Sequence, residues 1–162
     1  MKKQNQLSIF LVEDDPLYAS ALQYDLKSES KYKIRVFPSG EDCLKNIKAD
    51  PDIVLLDYFL KGDLNGIGVL KKIKQYKNDI EVIFLSGQEK IEVATNAMKY
   101  GAYDYVVKNE SAFIRTKNVI KKIIRQTELI KENKESKMYK MLFFVSWAII
   151  LTAILLLGKS FR

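Results

Sequence analysis

I-V-L-L-D, residues 53–57, is a run of four apolar, largely β-branched or leucine side chains closed by a carboxylate. Without polar alternation, such a run predicts a strand buried on both faces, the condition of a parallel sheet covered by helices. The pattern recurs on either side. Residues 8–12 (S-I-F-L-V) run into Glu13-Asp14-Asp15, residues 82–85 (V-I-F-L) into Ser86-Gly87, and residues 105–107 (Y-V-V) into Lys108, while residues 33–37 (K-I-R-V-F) supply a fifth strand. Helical segments separate the strands. Leu17, Ala21, Leu22 and Leu26 share helical spacing over 16–27, and Ser39 with Asp42 resembles a capping box ahead of 43–47. Helices are also expected at 66–76, at 91–100 with Gly101 as its stop, and from Ser111 onward. The order βαβαβαβαβα describes a doubly wound α/β domain.

Charge narrows the function classes. The chain of 162 residues carries a formal net charge of +7, but up to Ile114 it has 16 basic and 17 acidic residues, against 9 and 3 from Arg115 to Lys140. A nearly neutral main domain weakens a nucleic-acid reading, which would want a basic stripe on the folded domain itself, so no nucleic-acid partner is expected. The sequence has one cysteine, Cys43, and no histidine. An internal disulfide is therefore excluded, and so are the commonest general base and metal ligand. The first apolar stretch ends at Glu13, too short for a signal peptide.

In an open parallel sheet the chemistry gathers at the carboxyl ends of the strands. Taken singly, Asp14 or Asp15 reads as a helix cap, Asp57 as a turn opener, Ser86 as a turn residue and Lys108 as a solvated lysine. Taken together, Glu13, Asp14 and Asp57 would crowd three carboxylates into one crevice, a costly repulsion unless a cation shares it. Ligands that are all oxygen, with no His or Cys, point to Mg²⁺. Lys108 and Ser86 would then offer a positive charge and a hydroxyl to an anion beside the metal, which a phosphoryl group on Asp57 would satisfy.

The segments LVEDDP, IVLLDYFL, the NG of DLNGIGVL, IFLSG and GAYDYVVK, in this order and spacing, closely resemble the receiver domain of bacterial two-component response regulators, over about residues 7–124. The resemblance implies a flavodoxin-like sheet of order 2-1-3-4-5. It further implies Glu13 and Asp14 as the acidic pair, Asp57 as phosphoacceptor, and the backbone carbonyl of Phe59 as a further Mg²⁺ ligand. Ser86 and Lys108 would contact the phosphoryl oxygens, and Tyr105 would be the switch aromatic. Asp15 matches no ligand and is expected to cap a helix. Two departures bear on this resemblance: Asn109 follows Lys108 where the family usually has proline, and the pair Phe59 and Gln88 occupies positions that in this family influence phosphate loss.

Residues 141–158, MLFFVSWAIILTAILLLG, carry no charge. At 1.5 Å per residue they would extend ~27 Å, against ~30 Å of bilayer hydrocarbon, and predict a transmembrane helix. Lys121, Lys122, Arg125, Lys131, Lys134, Lys137 and Lys140 precede this run, against Lys159 and Arg162 after it. By the positive-inside rule, the receiver faces the cytoplasm of a single-pass cell-membrane protein. The expected organisation is a receiver over 1–126, a basic juxtamembrane linker over 127–140 that contacts membrane lipid, the span at 141–158 and a short tail at 159–162. Only 32 residues, 109–140, separate Lys108 from the span, so no helix-turn-helix output domain is expected.

The leading expectation is a phosphoryl-accepting switch, not an enzyme with a turnover substrate, charged by a histidine kinase or phosphotransfer protein and read by a downstream protein. The alternative is a degenerate receiver, a membrane-bound interaction module independent of phosphorylation. A hydrolase working through an aspartyl-phosphate would want a second acid two residues after Asp57, where Phe59 stands.

Overall fold

The computed structural model describes residues 6–28, 32–87 and 91–160, with side chains through residue 150. By contact the chain divides into two compact units, Met1–Lys121 and Lys122–Arg162.

The first unit is built on five parallel strands: β1 (Leu7–Val12), β2 (Tyr32–Phe37), β3 (Ile53–Asp57), β4 (Glu81–Ser86) and β5 (Asp104–Val107), ordered β2-β1-β3-β4-β5. This is the flavodoxin-like order. The central strands are buried over all but their first residues, and β3 throughout, as their unbroken apolar runs require; Ile53, Val54, Leu55 and Leu56 have no exposed surface. Phe10, Val12, Val54, Leu56, Val82 and Phe84 join Val69, Leu70 and Ile73 of α3 (Gly66–Tyr76) in one core cluster.

Helix ends follow local chemistry. Helix α1 (Pro16–Lys27) starts where Asp15 Oδ1 accepts from the N–H groups of Leu17 and Tyr18, at 2.9 and 3.3 Å, with proline at the first helical position. Asp15 is thus a cap, as expected. Helix α4 (Ile91–Lys99) ends in a Schellman motif: Gly101, at φ 92°, donates to Met98 O and Ala102 donates to Ala97 O.

The second helix lies elsewhere than the 43–47 expected. It occupies Gly40–Lys45, because Ser39 Oγ accepts from Asp42 N at 3.2 Å and starts the helix directly after the cap. Asn46 then turns its amide back to Asp42 O at 2.9 Å, and the chain tightens into a 3₁₀ turn, Ile47–Ala49, ended by Asp50 at φ 53°. Strands β3 and β4 each run one residue past expectation, so that Asp57 and Ser86 are the last ladder residues rather than the first loop residues.

Helix α5 (Ala112–Ser160) begins in the first unit, where Ala112, Thr116 and Ile120, at spacing four, are buried. In the second unit it continues as helix, and residues 125–150 are all exposed. Phe143 packs edge-on against Phe144 at 6.0 Å and tilted against Trp147 at 6.4 Å. Among the described residues no helix is long and apolar enough to cross a membrane. The span expected at 141–158 extends past residue 150, so its second half lies outside the described side chains.

Candidate functional site

The sheet register assembles the site. Val12 pairs with Leu56, and Asp57 with Leu85, which pairs in turn with Val106. Glu13, one residue past Val12, therefore stands level with Asp57, while Ser86 ends β4 one step further and pairs with Val107. The ladder persists beyond the strands: Lys108 N donates to Ser86 O at 2.7 Å, and Tyr58 N to Leu85 O at 2.9 Å. Strand ends, and the backbone bonds that extend them, thus carry Glu13, Asp57, Ser86 and Lys108.

Glu13, Asp14 and Asp57 offer carboxylate oxygens within 4.8 Å of one another. Two unit charges at that separation repel by ~3.5 kcal/mol at an effective dielectric of about 20, so the cluster needs positive charge. Lys108 supplies it. Its Nζ lies 2.6 Å from Glu13 Oε2 and 3.0 Å from Asp57 Oδ2, and both acids are nearly inaccessible, at 2% and 4% exposed. Asp14 instead pairs with Lys61 Nζ at 3.0 Å, on the loop after Asp57. Burial, with the Asp57 charge adding, pushes the Glu13 carboxyl up to about 6, against the pull of Lys108 and of the Asp15 N–H.

The loop from Tyr58 to Asn65 is held from two sides. Phe59 N donates to Asp57 Oδ1 at 3.3 Å, which folds the chain back over the carboxylate and keeps the Phe59 backbone close to it, with its ring half exposed. At the far end Glu41 Oε1, on α2 (Gly40–Lys45), accepts from Leu64 N at 3.0 Å. Asn65 caps α3 through a bond from Gly68 N at 2.9 Å. Gly66 must lack a side chain, because a Cβ there would stand 2.6 Å from Asp57 O and 3.0 Å from Tyr58 Cα. The Asn-Gly pair thus both starts the helix and lets it abut the backbone of Asp57.

The structure brings Glu13, Asp14, Asp57 and Lys108 into one cluster and sets Ser86, fully buried, at the adjoining strand end. Tyr105, half buried, packs against the core cluster from β5. The Lys108–Asn109 peptide is trans, there being no cis bond among the described residues. Asn109 Oδ1 accepts from the Ser111 N–H and hydroxyl, at 3.0 and 2.8 Å, which shifts the start of α5 to Ala112. Gln88 lies outside the described residues. Three neighbours went unforeseen: Glu41, Lys61 and Tyr18. Glu41 is 16 residues in sequence from Asp57, and no local pattern marks it; Lys61 and Tyr18 are known only by where their tips arrive.

The response regulator receiver domain family matches residues 9–121. An NtrX-like response regulator of Rickettsia typhi is 35% identical over 137 residues, covering 82% of this chain and 28% of that protein. The chain thus spans under a third of the length of that relative. The crystal structure of the receiver domain of a LuxO repressor protein from Vibrio parahaemolyticus superposes with a TM-score of 0.71 at 27% identity, covering 78% of this chain and 95% of that one. The receiver domain of NtrX from Brucella abortus gives 0.66 at 28% identity, covering 72% and 98%. With its sheet order, its acidic cluster and its bridging lysine, this chain belongs to the response regulator receiver domain family.

Proposed function

We propose that this chain is a membrane-anchored receiver that takes a phosphoryl group onto Asp57 from a phosphohistidine of a histidine kinase or phosphotransfer protein. The observation that carries the reading is the ammonium of Lys108, in contact with both Glu13 and Asp57, the two buried members of a cluster of three carboxylates. The donor set, oxygen only, fits a hard divalent ion, and Mg²⁺ would be held by Glu13, Asp14, Asp57 and the backbone carbonyl of Phe59. When bound, the ion neutralises charge on the transferring group.

The protein's own groups do the rest. A carboxylate oxygen of Asp57 attacks phosphorus; the P–N bond of the donor breaks and leaves its electron pair on the ring nitrogen. Lys108, anchored at the end of β5, meets the charge on the phosphoryl oxygens, and the Ser86 hydroxyl donates to one of them. Tyr105 moves toward the core as Ser86 is drawn to the phosphate. The donor must bring the histidine, since this chain has none. The signal then passes to a downstream protein.

The anchor is residues 141–158. It is supported by the uncharged run, by the seven basic residues before it against two after it, and by the exposed apolar side chains of Leu142, Phe143, Phe144, Trp147, Ile149 and Ile150. The basic residues of 127–140 would meet anionic headgroups, at ~1 kcal/mol for each close to the surface. The receiver would face the cytoplasm.

Acetyl phosphate with Mg²⁺ is expected to add one phosphoryl group to the full chain, and Asp57→Asn to prevent it. An unmodified wild type refutes the phosphoacceptor reading. For the anchor, a carbonate wash should leave the chain in the membrane fraction, and protease should reach the receiver in inverted vesicles but not in intact spheroplasts. Release by carbonate, or digestion from the spheroplast side, defeats it.

A further inference from the structure

Tyr18 lies against the cluster without belonging to it. Its ring faces Lys108, with Nζ 4.6 Å from the ring centroid, while the same ammonium meets Glu13 at 2.6 Å and Asp57 at 3.0 Å. A ring face carries negative charge in its quadrupole, so this is a third attraction on the same cation. The other contact of Tyr18 leads away from the site. Its ring meets Phe113, in the first turn of α5, at 5.5 Å and 74°, an edge-to-face pairing.

The hydroxyl does not explain the residue. It is buried without a hydrogen-bond partner among the described residues. A buried hydroxyl left unpaired costs stability, so its tolerance here places the value of Tyr18 in the ring. Burial, and then the charges of Glu13 and Asp57, push the phenol up to about 12, which keeps it neutral.

We propose that Tyr18 is a positioning residue for Lys108, its ring fixing the ammonium beside Asp57 and passing any shift of that ammonium to Phe113 and the first turn of α5. The inference rests on the reading of Asp57 as phosphoacceptor. Once Asp57 carries a phosphoryl group, the oxygens that attract Lys108 lie further out than the carboxylate did. The ammonium follows them and its distance from the ring changes. A side chain packed between that cation and Phe113 must respond at both contacts. This route to α5 uses neither Ser86 nor Tyr105.

The test uses the full-length chain in detergent, as wild type, Tyr18→Phe, Tyr18→Leu and Phe113→Leu. Two readouts are taken: the rate of phosphorylation by acetyl phosphate with Mg²⁺, followed by intact mass, and the change in backbone amide shifts of residues 112–115 on phosphorylation. Tyr18→Phe keeps the ring and is expected to match wild type in both. Tyr18→Leu is expected to slow phosphorylation by about two- to thirty-fold, the range of one cation–π contact, and to reduce the amide response by at least about half. Phe113→Leu should keep the rate and lose the response, and it carries the test if Tyr18→Leu does not fold. Equal rates for Tyr18→Leu and Tyr18→Phe overturn the positioning role, and an undiminished response in Phe113→Leu overturns the relay. A wild type that accepts no phosphoryl group instead removes the phosphoacceptor reading, and this inference with it.

Discussion

In Met1–Lys121, Phe84, Val54 and Leu56 are fully buried between helices and sheet, whereas in Lys122–Arg162 every residue from 125 to 150 is exposed, Phe144 and Trp147 included. Both units are helical where their sequences allow, yet they are held differently. A helix in water gains little beyond its own hydrogen bonds, and isolated helices shorter than ~12–15 residues are marginal. The helices of the first unit are stable because each buries a face. The second unit spends its apolar side chains on solvent, at about 1.5–3 kcal/mol forgone for each large one, so its stability is decided by what comes to cover it.

The largest expected contrast is between two phenylalanines. Phe84→Ala should cost ~3–5 kcal/mol of unfolding free energy, while Phe144→Ala should cost less than about 0.5 kcal/mol in the same urea titration. Similar losses would mean that the tail packs as a core.

Glu13 gives the next largest effect. Its carboxyl is raised from 4.5 to about 6 in the folded state, so ionising it is harder there than in the unfolded chain. Its contribution to stability is greatest below about 4.5 and is lost as pH rises through about 6, in buffer free of divalent ions. At ~1.4 kcal/mol per pKa unit the loss amounts to at most ~2 kcal/mol. Glu13→Gln should flatten that slope in denaturation midpoints measured across the same interval. An unchanged slope would assign the pH dependence to another group.

Serines sharpen the comparison at a smaller scale. Ser39 Oγ accepts from Asp42 N at a helix start, whereas Ser146 Oγ donates to Phe143 O in mid-helix, at 2.7 Å. Ser39→Ala is expected to cost ~1 kcal/mol, and Ser146→Ala nothing measurable, by thermal melts. The smallest effect concerns Lys61. Its ion pair with Asp14 involves a side chain that is 90% exposed, and a divalent ion must compete with it. Lys61→Ala should tighten Mg²⁺ binding by about 1.5- to 5-fold in calorimetric titration, and weaker binding would show that Lys61 assists the ion instead.

What the sequence disclosed, and what it hid, follows the same division between local and distant causes. The strands were legible because burial on both faces leaves an unbroken apolar run, and Asp15 and Gly101 because a cap and a left-handed stop are local events. The second helix departs from 43–47 because Ser39 caps it directly, starting it at Gly40, and Asn46 ends it before Ile47. The acidic cluster could be anticipated from the rule that strand ends converge. Tyr18, Lys61 and Glu41 could not, since their roles depend on where a side-chain tip reaches across the fold. The reason for Gly66 also emerged only in three dimensions, in the approach of α3 to the backbone of Asp57.

That approach turns the site into a gauge of length. The Asp57 carbonyl is backed by Gly66, and the residue is the last rung of a ladder paired to Leu85, so its backbone has no room to retreat. The reach of the carboxylate is therefore set by the side chain alone. A glutamate in its place would carry its charge ~1.5 Å further, about one carbon–carbon bond, into a space where Lys108 already stands 3.0 Å from the aspartate. With the frame fixed from behind, such an intrusion could be absorbed only in front, by driving the lysine outward. A glutamate at position 57 would thus crowd Lys108 by the length of one methylene.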